Sequence, residues 1–395
     1  MIYLDHNATT PPADAVRAAM LSALSDCWAN ASSQHGPGQN ARRAMGAARG
    51  AVARALGCKP AEIIFTSGAT ESNHLAVRGL LAAAAAGRGR VVFSSVEHAG
   101  HLRLARALRK QGVPVDLIAV RADGTLDVDA AVALMGPDLA LISLMAANNE
   151  TGALMPVAQV AALAHAAGAL LHVDATQFIG KQPFSFAHFG ADAVSLSAHK
   201  IHGPKGVGAL LLRQGIALEP QIMGSQERGR RGGTENLAGI AGLAAALDLL
   251  GGADGIAAEA ARLGTLRDAL ERGLARALPD AVHVWAQNAP RLPGTSYLRF
   301  GCLSADVVLN RLERLGVAAS TGAACASGSS APSHVLDAMG VPPQEALAAV
   351  RFSLGRGTTA QDVQYLLDAL PPLLAPLLDE EAQAARQRQT AAAIA

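Results

Sequence analysis

Between residues 63 and 212 short apolar runs alternate with helix-patterned stretches, and this alternation restricts the fold more than any other feature. Mainly apolar runs at 63–66, 91–94, 115–120, 139–144, 170–174 and 193–197 have the length of strands. The stretches at 67–86, 101–111, 128–135 and 157–167 have the pattern of helices. Strands that are apolar throughout belong in a sheet covered on both faces, and βα alternation makes that sheet mostly parallel. After Gly233 the pattern changes. An apolar helical stretch at 236–250 ends at Gly251-Gly252, an amphipathic one follows at 253–278, and strands at 283–285 and 296–300 come less regularly. The expected fold class is therefore α/β, a mostly parallel sheet covered by helices plus a smaller α+β domain. The predicted division is a large domain at 13–251 and a small one made of 1–12 and 252–395. Residues 1–12 look extended, 29–38 read as a loop, 40–56 as a helix, and 383–395 as a polar tail that frays.

Composition removes several function classes. A net charge of +1 and 3% aromatic residues give no footprint for nucleic acid, and no apolar run approaches a membrane span. The first ten residues carry no basic or long apolar segment of a secretory signal, so a cytoplasmic location is expected. Cys27, Cys58, Cys302 and Cys325 are scattered, which argues against a disulfide framework or a cysteine zinc site. The His98/His101 and His199/His202 pairs have metal-compatible spacing but lack a third ligand at a telling distance, so no metal is expected.

Polar residues gather where the predicted strands end, which is where open parallel sheets bind ligands. Ser197, His199 and Lys200 precede the turn Gly203-Pro204-Lys205-Gly206. A lysine beside a hydroxyl and an imidazole suits a Schiff-base site that also holds a phosphate, and the chain has only five lysines to choose from. Gly68-Ala69-Thr70 opens a helix and offers either an anion cradle or an ordinary helix cap. Glu97-His98 ends another strand, where the imidazole could stack on a planar group or simply be a packed histidine. Asn148-Asn149 is a donor-rich site or a turn. Asp174 could pair with a protonated pyridine nitrogen or cap a helix.

In order and spacing these motifs resemble those of the NifS/IscS-like cysteine desulfurases, fold-type I enzymes of the class V aminotransferase group. The resemblance rests on Leu4-Asp5-His6-Asn7-Ala8-Thr9-Thr10, Ser67-Gly68-Ala69-Thr70-Glu71-Ser72-Asn73, Glu97-His98, Asn148-Asn149-Glu150-Thr151-Gly152, His172-Val173-Asp174-Ala175-Thr176-Gln177, Ser197-Ala198-His199-Lys200, Arg231-Gly232-Gly233-Thr234-Glu235-Asn236, Cys325 and Arg351-Phe352-Ser353-Leu354-Gly355. It spans about residues 2–360. It implies a pyridoxal 5'-phosphate cofactor bound through Lys200, with Asp174 on the ring nitrogen, Gln177 on the ring oxygen and His98 stacked on the ring. Ala69, Thr70, Ser197 and His199 would bind the phosphate, joined by Thr234 from the second subunit of a homodimer. Asn149, also beside the cofactor, and Arg351 would hold the substrate carboxylate.

By the same resemblance Lys200, Cys325 and His98 would be the catalytic residues. L-cysteine would yield L-alanine and a persulfide on Cys325, whose sulfur passes to an iron–sulfur scaffold or another acceptor. Cys325 lies in a Ser-, Gly- and Ala-rich stretch that suits a mobile loop. The chain departs from the pattern at Met223-Gly224-Ser225-Gln226-Glu227, where many relatives carry glycines, and Thr321-Gly322-Ala323-Ala324 replaces the commoner Ser-Gly-Ser-Ala before the cysteine. The Arg228–Asn236 stretch looks closer to nitrogenase-associated members than to housekeeping ones. The alternatives are another class V enzyme, such as a selenocysteine lyase or an aminotransferase, or a non-catalytic sulfur carrier. An aminotransferase has no need of Cys325.

Overall fold

A computed structural model describes residues 1–322 and 332–394. Its strands are β1 (Ile2–Tyr3), β2 (Ile63–Thr66), β3 (Arg90–Ser94), β4 (Val115–Ile118), β5 (Leu139–Met145), β6 (Leu170–Asp174), β7 (Ala193–Ser197), β8 (Gly208–Leu212), β9 (Val282–Val284), β10 (Thr295–Phe300), β11 (Val317–Ala318) and β12 (Val350–Ser353). The helices are α1 (Asp14–Asp26), α2 (Gly36–Leu56), α3 (Ala69–Ala82), α4 (Ala99–Lys110), α5 (Val128–Ala133), α6 (Val157–Ala166), α7 (Leu237–Asp248), α8 (Gly252–Ala277), α9 (Ala305–Arg314), α10 (His334–Ala338), α11 (Pro343–Ala346), α12 (Ala360–Ala369) and α13 (Pro371–Ile394).

Seven strands form one sheet in the order β2-β8-β7-β6-β5-β3-β4. All its pairings are parallel except those of β8, which runs against β2 and β7. Connection length explains the reversal. The segment between β7 and β8 is too short for a crossover helix, so the chain turns straight back. Alternation along each strand then sorts residues to two faces. Val91 and Phe93 join Ile64, Leu75, Leu141 and Leu210 in one buried cluster. Val92 faces the other way, into a cluster with Val52, Ile142, Leu171, Val194, Leu211 and Leu243. A third cluster gathers Leu4 with Leu263, Leu270, Leu298, Phe300, Val308, Phe352 and Leu366. β1 pairs with β11 and Asp5 bridges to Ser353, so the N-terminus is fastened to the last third of the chain.

The differences from expectation lie at element ends. α2 begins at Gly36, inside the stretch that reads as a loop. His35 caps it by accepting from the Gly38 N–H at 3.2 Å, and Pro37 sits in its first turn, where a missing N–H costs nothing. α4 begins at Ala99 because His98 is its cap. The strand expected at 115–120 stops at Ile118, and only Ile2–Tyr3 of the first twelve residues is strand. Residues 383–394 belong to α13. Among the described residues no single helix is long and apolar enough to cross a membrane.

Candidate active site

The register of the sheet brings the site together. Asp174 pairs with both Met145 and Ser195, while Ser197 and Thr66 both pair with Gly208, so the carboxyl ends of β2, β5, β6 and β7 lie side by side. Above them opens a cavity of about 820 Å³. Ala69, Thr70, His98 and Asn149 line it, as do Asp174, Gln177, Ser197, His199, Lys200 and Arg351. Thr234 is exposed and does not line the cavity of its own chain. Cys325 lies outside the described residues.

Lys200 ends a short turn after β7, and its Nζ donates to the carbonyls of Asn7 (2.5 Å) and Ala8 (2.8 Å). The amine is thereby aimed at the N-terminal segment, beside the cavity floor. Asp174, 7% exposed, accepts from Asn73 Nδ2 at 2.7 Å and from the Thr176 N–H at 3.0 Å. Burial pushes its pKa upward, but the hydrogen bonds from Thr176 and Asn73, with the nearby His101, outweigh it and hold the carboxyl below its usual range. The floor therefore presents an ionised carboxylate.

His98 accepts from the Gly100 N–H through Nδ1 at 3.2 Å, which leaves Nε2 to carry the proton of the neutral ring. Burial lowers its pKa, Asp174 opposes that shift, and Lys200 reinforces it, so neutrality is favoured. One layer below the floor, His172 is bonded on both ring nitrogens, to Ser143 Oγ (2.7 Å) and Ser195 Oγ (2.8 Å). Burial, then His101, pushes its pKa down to about 3.

The N-terminus of α3 forms a cradle. Gly68 has φ +151°, a conformation that side chains rarely adopt, and a Cβ on Gly208 would lie 2.7 Å from the Gly68 Cα. Two glycines let the backbone pack this closely and leave the first N–H groups of α3 facing the cavity beside Ser197 and His199. Arg231 donates to Glu71 in the first turn at 2.8 Å, tying the 231–233 segment to that end of the helix.

Arg351 is 1% exposed and also lines the cavity. It donates to Asn149 O (2.8 Å), Gly322 O (3.2 Å) and Asp5 Oδ1 (2.7 Å), while its Nε has no partner. The sequence motifs assign no role to Asp5, Asn7, Asn73 or Lys181. The first three stand inside those motifs, so their presence was legible but their partners, distant in sequence, were not. Lys181 had only its rarity as a signal. Among the described residues no group of three or more metal-type ligands occurs.

Comparison with known proteins follows this geometry. The Aminotransferase class-V family matches residues 2–366. A cysteine desulfurase from Cereibacter sphaeroides is 48% identical over 377 residues, 94% of this chain and 95% of that protein. One from Gluconacetobacter diazotrophicus is 44% identical, covering 95% of this chain and 94% of the relative. Among solved structures, a NifS-like protein superposes with a TM-score of 0.87 at 34% identity, over 95% of this chain and 99% of that one. SspA in complex with cysteine gives 0.78 at 31% identity, over 90% and 99%. Family, relatives and structures agree over nearly the whole length, and the chain belongs to the class V aminotransferase family, in its NifS-like cysteine desulfurase branch.

Proposed function

We propose that this protein is a pyridoxal 5'-phosphate-dependent cysteine desulfurase acting on L-cysteine, with Lys200, Cys325 and His98 as its catalytic residues. The residues present fit that cofactor. A Cβ on Gly208 would press on the Gly68 Cα and displace the cradle, and an ionised carboxylate, a neutral imidazole and a lysine amine share one cavity. Ala69, Thr70, Ser197 and His199 would hold the phosphate, Asp174 the ring nitrogen, Gln177 the ring oxygen and His98 the ring face. When bound, the cofactor supplies an electron sink for the charge that develops at the substrate Cα.

The chain's own residues then divide the work. Asp174, kept ionised by Asn73 and Thr176, would stabilise a protonated ring nitrogen. Arg351 and Asn149 receive the substrate carboxylate, and the planar guanidinium suits two oxygens at once. Lys200 takes the proton from Cα and returns it during turnover. The Cys325 thiolate attacks the substrate sulfur. Its S–S bond forms as the substrate C–S bond breaks, so one L-cysteine and one thiol become one L-alanine and one persulfide. An acceptor, such as an iron–sulfur scaffold, removes the sulfur. The location in this account is cytoplasmic.

A homodimer completes the site. Thr234 is exposed in its own chain, and we assign it to the phosphate of a second copy. A monomer by analytical ultracentrifugation would remove that part of the account.

The observation that carries the reading is the placement of the Lys200 amine and the Asp174 carboxylate in one cavity beside the glycine cradle. Reconstitution tests it. The wild type should take up the cofactor and gain a visible absorbance band that the Lys200→Ala variant lacks. A wild type that stays colourless contradicts it.

A further inference from the structure

Lys181 is the second lysine of this region, four residues beyond Gln177, and the proposed chemistry makes no use of it. Its Nζ donates to Asn7 Oδ1 at 2.8 Å and to Gln177 Oε1. Those two oxygens belong to amides, and an amide can present either its oxygen or its NH2 group to a neighbour. With both oxygens turned to Lys181, both NH2 groups point elsewhere. Gln177 Nε2 donates to Asn7 O at 2.8 Å, the same carbonyl that receives Lys200. Asn7 Nδ2 donates to Thr295 Oγ1 (3.0 Å) and to Asn149 O (3.2 Å), the carbonyl that also receives Arg351. Lys181 thus stands behind the ring-oxygen contact, the lysine and the carboxylate site together.

As an ammonium the amine admits only this arrangement, and as a neutral amine it admits at most one reversed amide. Burial, then the charges of Lys200 and Arg351, pushes its pKa well below the usual lysine range. As an ammonium it has no acceptor at all. As a neutral amine it has one lone pair, too few to accept from both amides. Reversing either amide would also set its oxygen against an acceptor, Asn7 O for Gln177 and Asn149 O for Asn7. Lys181 also borders a second cavity of about 400 Å³, which touches Asn7 and Lys200 from behind. That space gives a substituted side chain room to settle.

We propose that Lys181 is a positioning residue that locks the amides of Gln177 and Asn7 in one orientation, so that Gln177 offers a donor, not an acceptor, to the ring oxygen of the cofactor. The inference rests on the cofactor reading above. A donor facing the ring oxygen attracts it, whereas an amide oxygen in that place repels it, so the lock is read as cofactor affinity.

The test is a titration of the full-length, cofactor-free chain with pyridoxal 5'-phosphate, in a double-mutant cycle. Lys181→Met is expected to weaken binding about tenfold or more, while Lys181→Arg, which also only donates, stays within about threefold of the wild type. In a Gln177→Ala background the same Lys181→Met change should cost less than about threefold, because the group it orients is gone. Binding by Lys181→Met equal to the wild type overturns the proposal, and so does an equal loss in both backgrounds, the signature of a merely structural lysine. If Lys181→Met does not fold, Lys181→Gln carries the comparison, since it can accept as well as donate, which removes the lysine's part of the lock and leaves only the carbonyls of Asn7 and Asn149. Wild-type affinity in that variant overturns the proposal too. A wild type that binds with these variants unaffected removes only the role of Lys181, whereas a wild type that binds no cofactor removes the cofactor reading and this inference with it.

Discussion

At the scale of single residues the site is an exercise in holding charge states apart. Asp174 stays ionised because two donors outweigh burial, and His98 stays neutral because burial and Lys200 outweigh Asp174. His172 is the extreme case, buried between two serine hydroxyls with a pKa of about 3. The folded value lies below the ordinary 6.5, so between the two the unfolded chain binds the extra proton. Stability from this group is therefore present above about pH 6.5 and is lost as pH falls toward about 3. In a His172→Gln variant the fall of unfolding free energy with decreasing pH should be shallower by about 1.4 kcal/mol per pH unit across that window, the value of one proton. Chemical denaturation at a series of pH values measures it, and an unchanged slope contradicts the assignment. Arg351 belongs to the same scale. Arg351→Ala should raise KM for L-cysteine roughly tenfold or more with a smaller change in kcat, because a carboxylate anchor acts in the ground and transition states alike. An unchanged KM counts against that role.

Among elements, the loops at the carboxyl ends decide the chemistry, and the strands decide where those loops meet. Gly208 shows how tight that meeting is. A Cβ there would lie 2.4 Å from Leu196 O and 2.7 Å from the Gly68 Cα, both backbone atoms that cannot swing aside. Gly208→Ala should cost about 1–3 kcal/mol of stability and lower cofactor affinity together, as the cradle is pushed open. Thermal unfolding and cofactor titration check the pair, and wild-type values in both contradict the close-approach argument. Much at this scale is legible in the sequence. The apolar runs locate the strands, and polar residues just after them mark the site, because both signals are local. The reversed strand β8 can be anticipated only from the shortness of the turn before it, and the start of α2 is hidden because Gly36 and Pro37 are loop signals and helix-start signals alike.

Over the whole molecule the site is assembled from remote pieces. Asp5 meets Arg351, Asn7 meets Gln177, Lys181 and Lys200, and Asn73 meets Asp174. The residue types at these positions can be read from the chain, but the pairings cannot, because those of Asp5 and Asn7 depend on Leu4 packing into the cluster built from residue 263 onward, and that of Asn73 depends on α3 packing against β6. That fastening brings the N-terminal segment across the cavity, where its carbonyls receive the Lys200 amine. In the proposed function Lys200 transfers the proton and Cys325 takes the sulfur. A Cys325→Ser variant should keep the visible band of the bound cofactor and lose alanine formation from L-cysteine. Full turnover in that variant contradicts the division. The most direct measurement is mass spectrometry of the wild-type protein after brief exposure to L-cysteine. One added sulfur atom on the peptide carrying Cys325, removable by a reducing thiol, is the predicted result. Alanine production with no sulfur on that peptide, or sulfur on Cys27, Cys58 or Cys302 instead, contradicts the account.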